Sequence, residues 1–152
     1  MIERDYLMRM MQQLANVLAR IMRAREQEKY DEAQDAIDGA YGELFGLNAT
    51  LLDVMSAESL AQLLGDREKT KSLARLFKEE AELRELQDDP TQATIKYKKS
   101  LELYLEAGSA QTKIDLESES IMKHLLDKID FEQLPEKYHA ILKKMRTAST
   151  SA

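Results

Sequence analysis

The sequence contains no cysteine and no tryptophan, and it has only 2 prolines and 5 glycines among its 152 residues. The missing cysteines exclude disulfides, thiolate metal sites and thiol nucleophiles, and they are typical of a protein from the reducing cytoplasm. Few prolines and glycines argue against a β-rich fold, in which glycine-rich turns recur, and favour long uninterrupted helices. We therefore expect a cytoplasmic, all-α protein.

Long apolar runs are also missing. No stretch approaches the roughly 20 apolar residues that cross a membrane, and residues 1–5 carry mixed charge where a signal peptide would begin its apolar core. The formal net charge of -6 argues against binding to a phosphate backbone. We expect a protein that binds neither membranes nor nucleic acid.

Catalytic and metal-binding patterns are scarce. The two histidines, His124 and His139, lie on different predicted helices and form no ligand pair. No Gly-x-Ser-x-Gly elbow and no glycine-rich phosphate loop occur. The acidic residues between 79 and 89 fit a solvated helix face, with Arg75 and Lys78 as local partners. We predict no enzymatic activity, no metal and no cofactor.

The clearest structural signal is a helical hairpin from Leu73 to Leu105. Asp89 is a good N-cap, Pro90 suits the first helical position, and Gln92 is placed to complete a capping box by bonding back to Asp89. The sequence therefore predicts a helix that ends near residue 87, a tight turn, and a second helix that packs antiparallel to the first.

This hairpin resembles a tetratricopeptide unit. The residues that match the family pattern are Phe77, Ala81, Ala93, Tyr97 and Ser100, whereas Glu80, Arg84 and Asp88 depart from it. Residues 14–46 form an earlier, weaker copy, with Ala33 at the position of Ala93. The two alanines are 93 − 33 = 60 residues apart, where adjacent units would give about 34. The chain is therefore not a plain tandem array.

The insertion between the copies is rich in leucine. Asn48 and Ser56 can cap two short helices, Gly65 can end the second, and Asp66 can cap the next long helix. We expect the insertion to close one end of the bundle; the alternative is a lid over a pocket for a small apolar ligand.

Two further helices should follow the second hairpin. Ser109 is expected to cap a helix that carries Ile114 and Ile121, and Pro135 should open the last helix. These helices would act as the cap of a short repeat stack. The predicted fold is all-α, with antiparallel tetratricopeptide-like hairpins closed by C-terminal helices into a compact bundle. We predict one domain, residues 1–146, and a flexible tail, residues 147–152.

Two surfaces of the predicted helices stand out. Gly39 and Gly42 lie inside a helix, where each costs about 1 kcal/mol relative to alanine, so we expect another helix backbone to approach closely there, or else a slot for a partner segment. Gly46 should end that helix. The first helix, residues 2–27, has a wide apolar arc that suits a central core helix, although its methionine-rich half also suits an adaptable contact surface.

The N-terminal segment carries a second resemblance. Residues 5–10, DYLMRM, continuing through Leu14 to residues 18–21, LARI, are similar to the start of an uncharacterised family of small bacterial helical proteins. This resemblance implies a bacterial cytoplasmic protein and carries no known activity.

The favoured function is a non-enzymatic interaction or scaffold module that binds a protein or an amphipathic peptide. The tetratricopeptide resemblance implies a groove between two first helices, one wall charged and one apolar. Its partner-binding residues would be Leu18, Met22, Arg25, Arg75, Lys78, Glu82 and Glu85, with Ala15 beside them. The first alternative is a structural homo-oligomer, for example a homodimer, through Ile2, Tyr6, Leu7, Met10 and Met11. The second alternative is a helical carrier of a small apolar ligand.

Overall fold

The computed structural model describes residues 2–109 and 115–150, with side chains for residues 4–109 and 115–145. Over these ranges all the regular structure is helical, which confirms the predicted all-α fold. The helices are α1 Ile2–Glu26, α2 Tyr30–Phe45, α3 Ala49–Val54, α4 Ala57–Leu64, α5 Arg67–Leu86, α6 Pro90–Gly108, α7 Leu116–Lys128 and α8 Glu136–Thr150, with a 3₁₀ helix at Phe131–Gln133 before α8.

Helices α5 and α6 form the centre of the bundle. They pack against each other along their length, α1 packs against α2, and both α1 and α2 contact α5. Ala81 and Ala93, the small residues predicted to lie between the two central helices, are both buried. The Ser100 hydroxyl donates to the Ala74 carbonyl at 2.6 Å, which ties α6 to α5. The long helices α1, α2, α5 and α6 thus form two antiparallel hairpins around a shared core.

The two hairpin turns have the same backbone geometry. Glu28 and Asp88, which are 60 residues apart, have φ angles of 57° and 58°. In each turn the following residue donates its amide to the carbonyl five residues earlier, at 2.8 Å from Lys29 and 2.9 Å from Asp89. Two segments of different sequence therefore reverse the chain in the same way.

Most predicted helix ends are confirmed. The side chains of Asn48, Ser56 and Asp66 each accept an amide hydrogen bond at the start of a helix. Gly46 and Gly65 end helices in the left-handed conformation. These caps depend on side chain and backbone within a few residues, which is why the sequence alone reveals them.

Two details of the predicted helix ends are wrong. The amide of Asp89 is used by the turn, so Gln92 makes no capping box there, although the Asp89 carboxylate accepts the Gln92 amide at 3.2 Å. Ser109 lies in the helical region at the end of α6, and the cap of α7 is Asp115. The last helix, Glu136–Thr150, begins one residue after Pro135; residues 110–114 and 151–152, including Ile114, lie outside the described part.

The expectation that another helix backbone approaches Gly39 and Gly42 closely is also wrong. A Cβ atom added to Gly39 or Gly42 would meet nothing within 4 Å, and both residues are exposed. This face of α2 lies toward solvent, because the buried residues of α2, including Ala33, Ile37 and Ala40, are on its other side.

The leucine-rich insertion covers the side of the second hairpin. Helix α4 packs against α6 and α5, Leu60 is completely buried, and Leu52 is nearly so. The Lys99 ammonium donates to the carbonyl of Met55 at 2.5 Å, which fixes the link between α3 and α4 to α6.

Candidate functional site: an exposed seam beside the first groove

The buried side of α1 is a narrow stripe. Met10, Leu14, Val17, Ile21 and Ala24 are all buried, at successive spacings of four, three, four and three residues. This spacing places them on one face of the helix, which contacts α2 and α5. The first helix is therefore a core helix on this face.

A second apolar stripe of α1 remains largely uncovered. We call it the methionine seam, and it consists of Met8, Met11, Ala15, Leu18 and Met22. The side chains of Met8, Met11 and Met22 are 61%, 47% and 52% exposed, Ala15 is exposed, and Leu18 is half-buried. The spacings of three, four, three and four residues are those of a heptad seam that packs against one other helix. The seam extends over about 21 Å at 1.5 Å per residue.

One edge of the seam borders a groove. A cavity of about 160 Å³ lies between α1, α5 and α7, and Met11, Ala15 and Leu18 form its apolar wall. Arg75 of α5 and Glu117 of α7 line the opposite wall and form an ion pair at 2.8 Å. The groove therefore has one apolar and one charged wall, and of the residues predicted to form its walls, Ala15, Leu18 and Arg75 line it.

The predicted charged residues are engaged within the chain. Arg25 contacts Glu79 and Glu82 at 3.0 and 2.9 Å, and Lys78 contacts Glu82 at 2.7 Å. Burial raises the pKa of the Glu82 carboxyl, but the hydrogen bonds and charges of Lys78 and Arg25 outweigh it, and the net result is a lowered pKa. This cluster joins α1 to α5, so three of the predicted partner-binding residues hold the walls of the groove together.

Helix α7 covers the far end of the charged wall. Glu85 forms an ion pair with Lys128 at 3.3 Å, and the ring nitrogen of His124 lies 3.8 Å from Glu82. Arg75, Lys78, Glu82 and Glu85 are thus brought to one side of α5, but contacts within the chain occupy them. Of the predicted apolar residues, Met22 is exposed and Leu18 is half-buried.

The residues that were predicted for self-association differ in how exposed they are. Met10 is 3% exposed and belongs to the core, so it is wrong as an oligomer contact, and Leu7 is half-buried against that core. The Tyr6 ring is 46% exposed and has a lysine ammonium of α5 at 4.8 Å. Met11 belongs to the methionine seam, and the side chain of Ile2 is outside the described part.

Sequence reasoning missed a buried ionic cluster in the centre of α5. Glu80 is 3% exposed, although the acidic run was expected to be solvated. Its carboxylate accepts a hydrogen bond from the Tyr41 hydroxyl at 2.8 Å and lies 3.3 Å from Arg84 and 3.5 Å from Lys96. Burial, and next the charge of Glu80, raise the pKa of Tyr41. The signal was present, because Glu80 replaces a leucine of the tetratricopeptide pattern and so falls on a core-facing position.

The cavity beside the insertion differs from an apolar ligand pocket. It measures about 410 Å³, and Leu47 and Leu52 share its lining with Asp53, Glu80 and Lys96. The carboxylate of Glu80 is already bonded by side chains of α2, α5 and α6. We interpret this polar cluster as a link between these helices.

The described residues give no support to a metal site or to a membrane-spanning helix. Within residues 4–109 and 115–145, no three histidine, aspartate or glutamate residues lie close enough together to hold a metal ion. None of the described helices combines the length and the apolar composition needed to cross a bilayer. Comparison of the chain with protein-family models, curated proteins and solved structures finds no match.

Proposed function

We propose that the protein is a non-enzymatic interaction module that binds an amphipathic helix of another protein along the methionine seam. The observation that carries this proposal is the exposure of the seam: five apolar positions in heptad spacing, three of them methionines about half exposed or more. A single exposed methionine is ordinary on a protein surface. A continuous heptad stripe is the pattern of a helix that has a partner.

The chemistry of the seam suits recognition rather than a fixed core contact. Methionine side chains are flexible and polarisable, and they repack against different apolar surfaces at low cost. The adjacent groove would receive one edge of the bound helix between α1 and the wall formed by Arg75 and Glu117.

The similarity of the two hairpins supports placing the binding site along α1. In tetratricopeptide proteins the first helices of successive hairpins line the groove, and α1 and α5 are the first helices here. The shared turn geometry at Glu28 and Asp88 favours this correspondence. The resemblance of the N-terminal segment to a bacterial family, together with the absence of cysteine, supports placing the module in a bacterial cytoplasm.

The proposal can be tested by fluorescence anisotropy with a labelled designed peptide of about three heptads that has leucine at its apolar positions. We expect the wild type to bind the peptide, and we expect Met11→Glu/Met22→Glu to bind it at least about tenfold more weakly, because two charges would be buried against leucine. The matched control is Val54→Glu/Leu63→Glu, which alters two other exposed apolar residues. If the control loses binding as strongly as the seam variant, or if the wild type binds no peptide, the proposal is wrong.

A further inference from the structure

We infer that the partner helix inserts one tyrosine side chain into the groove beside Ala15. This inference rests on the proposed function and concerns the partner residue that lies over the centre of the methionine seam. The cavity between α1, α5 and α7 is the place where that residue would enter, and Ala15 is the smallest residue of the seam.

The α1 side of the groove has the geometry of a hole for one side chain. Its lining residues on α1 are Met11, Leu14, Ala15 and Leu18. The last three lie three, four and seven residues after Met11, which is the pattern of the four residues that surround one inserted side chain in a coiled coil. Because Ala15 is small, a partner backbone can approach α1 closely at this point. One residue of a helix bound on the seam would therefore point into the groove.

The groove has room for an aromatic ring. Its volume of about 160 Å³ is close to the roughly 150 Å³ of a protein cavity that takes one benzene molecule. Residues of α5, α6 and α7, namely Ser72, Tyr104 and Ile121, extend the hole beyond α1. A ring would fill this space better than a short aliphatic side chain, and buried aromatic anchors are common at the centre of protein interfaces.

Two hydroxyl groups along the groove have no hydrogen-bond partner. Tyr104 and Ser72 are only 4% and 8% exposed, and both line the cavity. Within residues 4–109 and 115–145, neither hydroxyl is bonded to another group, and both oxygens remain accessible. Burial raises the pKa of the Tyr104 hydroxyl, so it stays protonated and can donate. Because buried polar groups normally have partners, these two favour an inserted side chain with a polar end.

The charged residues along the groove favour an uncharged polar end. Lys71 pairs with Glu68 at 3.0 Å and with Asp115 at 3.2 Å, and Arg75 pairs with Glu117. A carboxylate or an ammonium group of the partner would have to compete with these pairs. Among the aromatic side chains, only tyrosine has a hydroxyl, which can both donate and accept. Tyrosine therefore matches the groove in size, in charge and in hydrogen bonding.

The test uses three labelled peptides of about three heptads that differ only at the central apolar position, which is tyrosine, phenylalanine or alanine. Because Ala15 is the middle residue of the seam, this position lies opposite it in a parallel or an antiparallel complex. In fluorescence anisotropy, we expect the wild type to bind the phenylalanine peptide at least about tenfold more tightly than the alanine peptide. The tyrosine peptide should bind about fivefold more tightly again, because its hydroxyl gains partners.

Two variants separate the hydrogen bond from the shape of the groove. Tyr104→Phe removes only an unpartnered hydroxyl, so it should fold normally and lose most of the preference for tyrosine over phenylalanine. Its control, Tyr30→Phe, removes a hydroxyl from α2 and should keep the preference. Ala15→Leu should weaken binding of the tyrosine peptide about tenfold, because the added side chain fills the hole. Its control, Ala19→Leu, makes the same change at an exposed position that does not line the groove and should bind like the wild type.

The possible results separate the two proposals. If the wild type binds the three peptides equally well, or if Tyr104→Phe keeps the full preference for tyrosine, the tyrosine inference is overturned while helix binding stands. If none of them binds and the leucine peptide also fails, helix binding itself fails and the tyrosine inference fails with it. Concentration-dependent dimerisation in light scattering that is lost in Ala15→Leu, while no peptide binds, would assign the groove to a second copy and overturn both proposals.

Discussion

At the residue scale, the two hairpin turns place different residues in the same left-handed backbone conformation. Glu28 and Asp88 have nearly equal positive φ angles. An aspartate tolerates this region better than a glutamate, because its short side chain can bond to the nearby backbone. The strain in the first turn should therefore be larger.

This difference gives the first prediction. Glu28→Gly should raise the free energy of unfolding by about 1 kcal/mol, because glycine adopts positive φ without a steric penalty. Asp88→Gly should raise it by less. Urea denaturation followed by circular dichroism measures both changes, and a destabilised Glu28→Gly variant would contradict the assigned turn geometry.

The glycines of α2 give the second prediction. Gly39→Ala and Gly42→Ala should each raise the free energy of unfolding by about 0.5 to 1 kcal/mol, because the added methyl group has free space and alanine favours the helix. Gly46→Ala is the control in the same helix, and it should lower stability because Gly46 has a φ of 66°. Thermal unfolding should show a gain in stability for Gly39→Ala and Gly42→Ala and a loss for Gly46→Ala. A loss of stability in Gly39→Ala or Gly42→Ala would contradict the free space found beside these two glycines.

These residues also show what a sequence can reveal at this scale. The caps at Asn48, Ser56 and Asp66 were predictable because each needs only a side chain and an amide three residues later. The role of Gly39 was predicted wrongly because its spacing says nothing about which helix, if any, lies opposite. A helix cap is determined by residues that are close in the sequence, whereas the element that packs against a helix face is determined by the fold of the whole chain.

At the scale of the elements, α5 is the helix that sequence reasoning described least well. Its many charges suggested a solvated face, yet Glu79 and Glu80 are buried. Their partners include Arg25, from α1, and Lys96, from α6. The burial was hidden from the sequence because it depends on cations that reach α5 from other helices.

The third prediction concerns Glu80. Glu80→Leu should lower the free energy of unfolding by about 3 to 5 kcal/mol, because it leaves the buried ammonium of Lys96 without its nearest carboxylate. The double variant Glu80→Leu/Lys96→Met should be more stable than Glu80→Leu alone, since it removes the uncompensated charge. Urea denaturation of both variants checks this order, and equal stability would show that the two charges are not coupled.

The fourth prediction concerns the pH dependence that Glu82 confers. The folded-state pKa of Glu82 lies below its ordinary value of 4.5, so its ion pairs stabilise the protein above that value and the contribution disappears as pH falls through the folded-state pKa. The wild type should lose more stability than Glu82→Gln between about pH 5 and pH 3. Urea denaturation across that range measures both slopes; parallel curves would mean that the contacts of Glu82 with Arg25 and Lys78 contribute nothing.

At the scale of the whole molecule, the apolar residues of the first helix form one stripe in the core and one stripe on the surface. The wide apolar arc predicted from the sequence splits into a buried stripe, which includes Met10, and the exposed methionine seam. The sequence indicated that the arc suits a central core helix and that its methionine-rich half suits a contact surface. It could not indicate which edge of the arc the rest of the chain leaves uncovered, since that depends on where α5 and α7 lie.

The most direct test of the proposed function follows the methyl groups of the 8 methionines by NMR while the designed heptad peptide with leucine at its apolar positions is added. We predict that the signals of Met8, Met11 and Met22 shift on binding, and that those of Met10 and Met122, which are buried in the core, stay in place. Shifts confined to methionines outside the seam, or no shift at any methionine on addition of the peptide, would contradict the assignment of the seam as the docking surface.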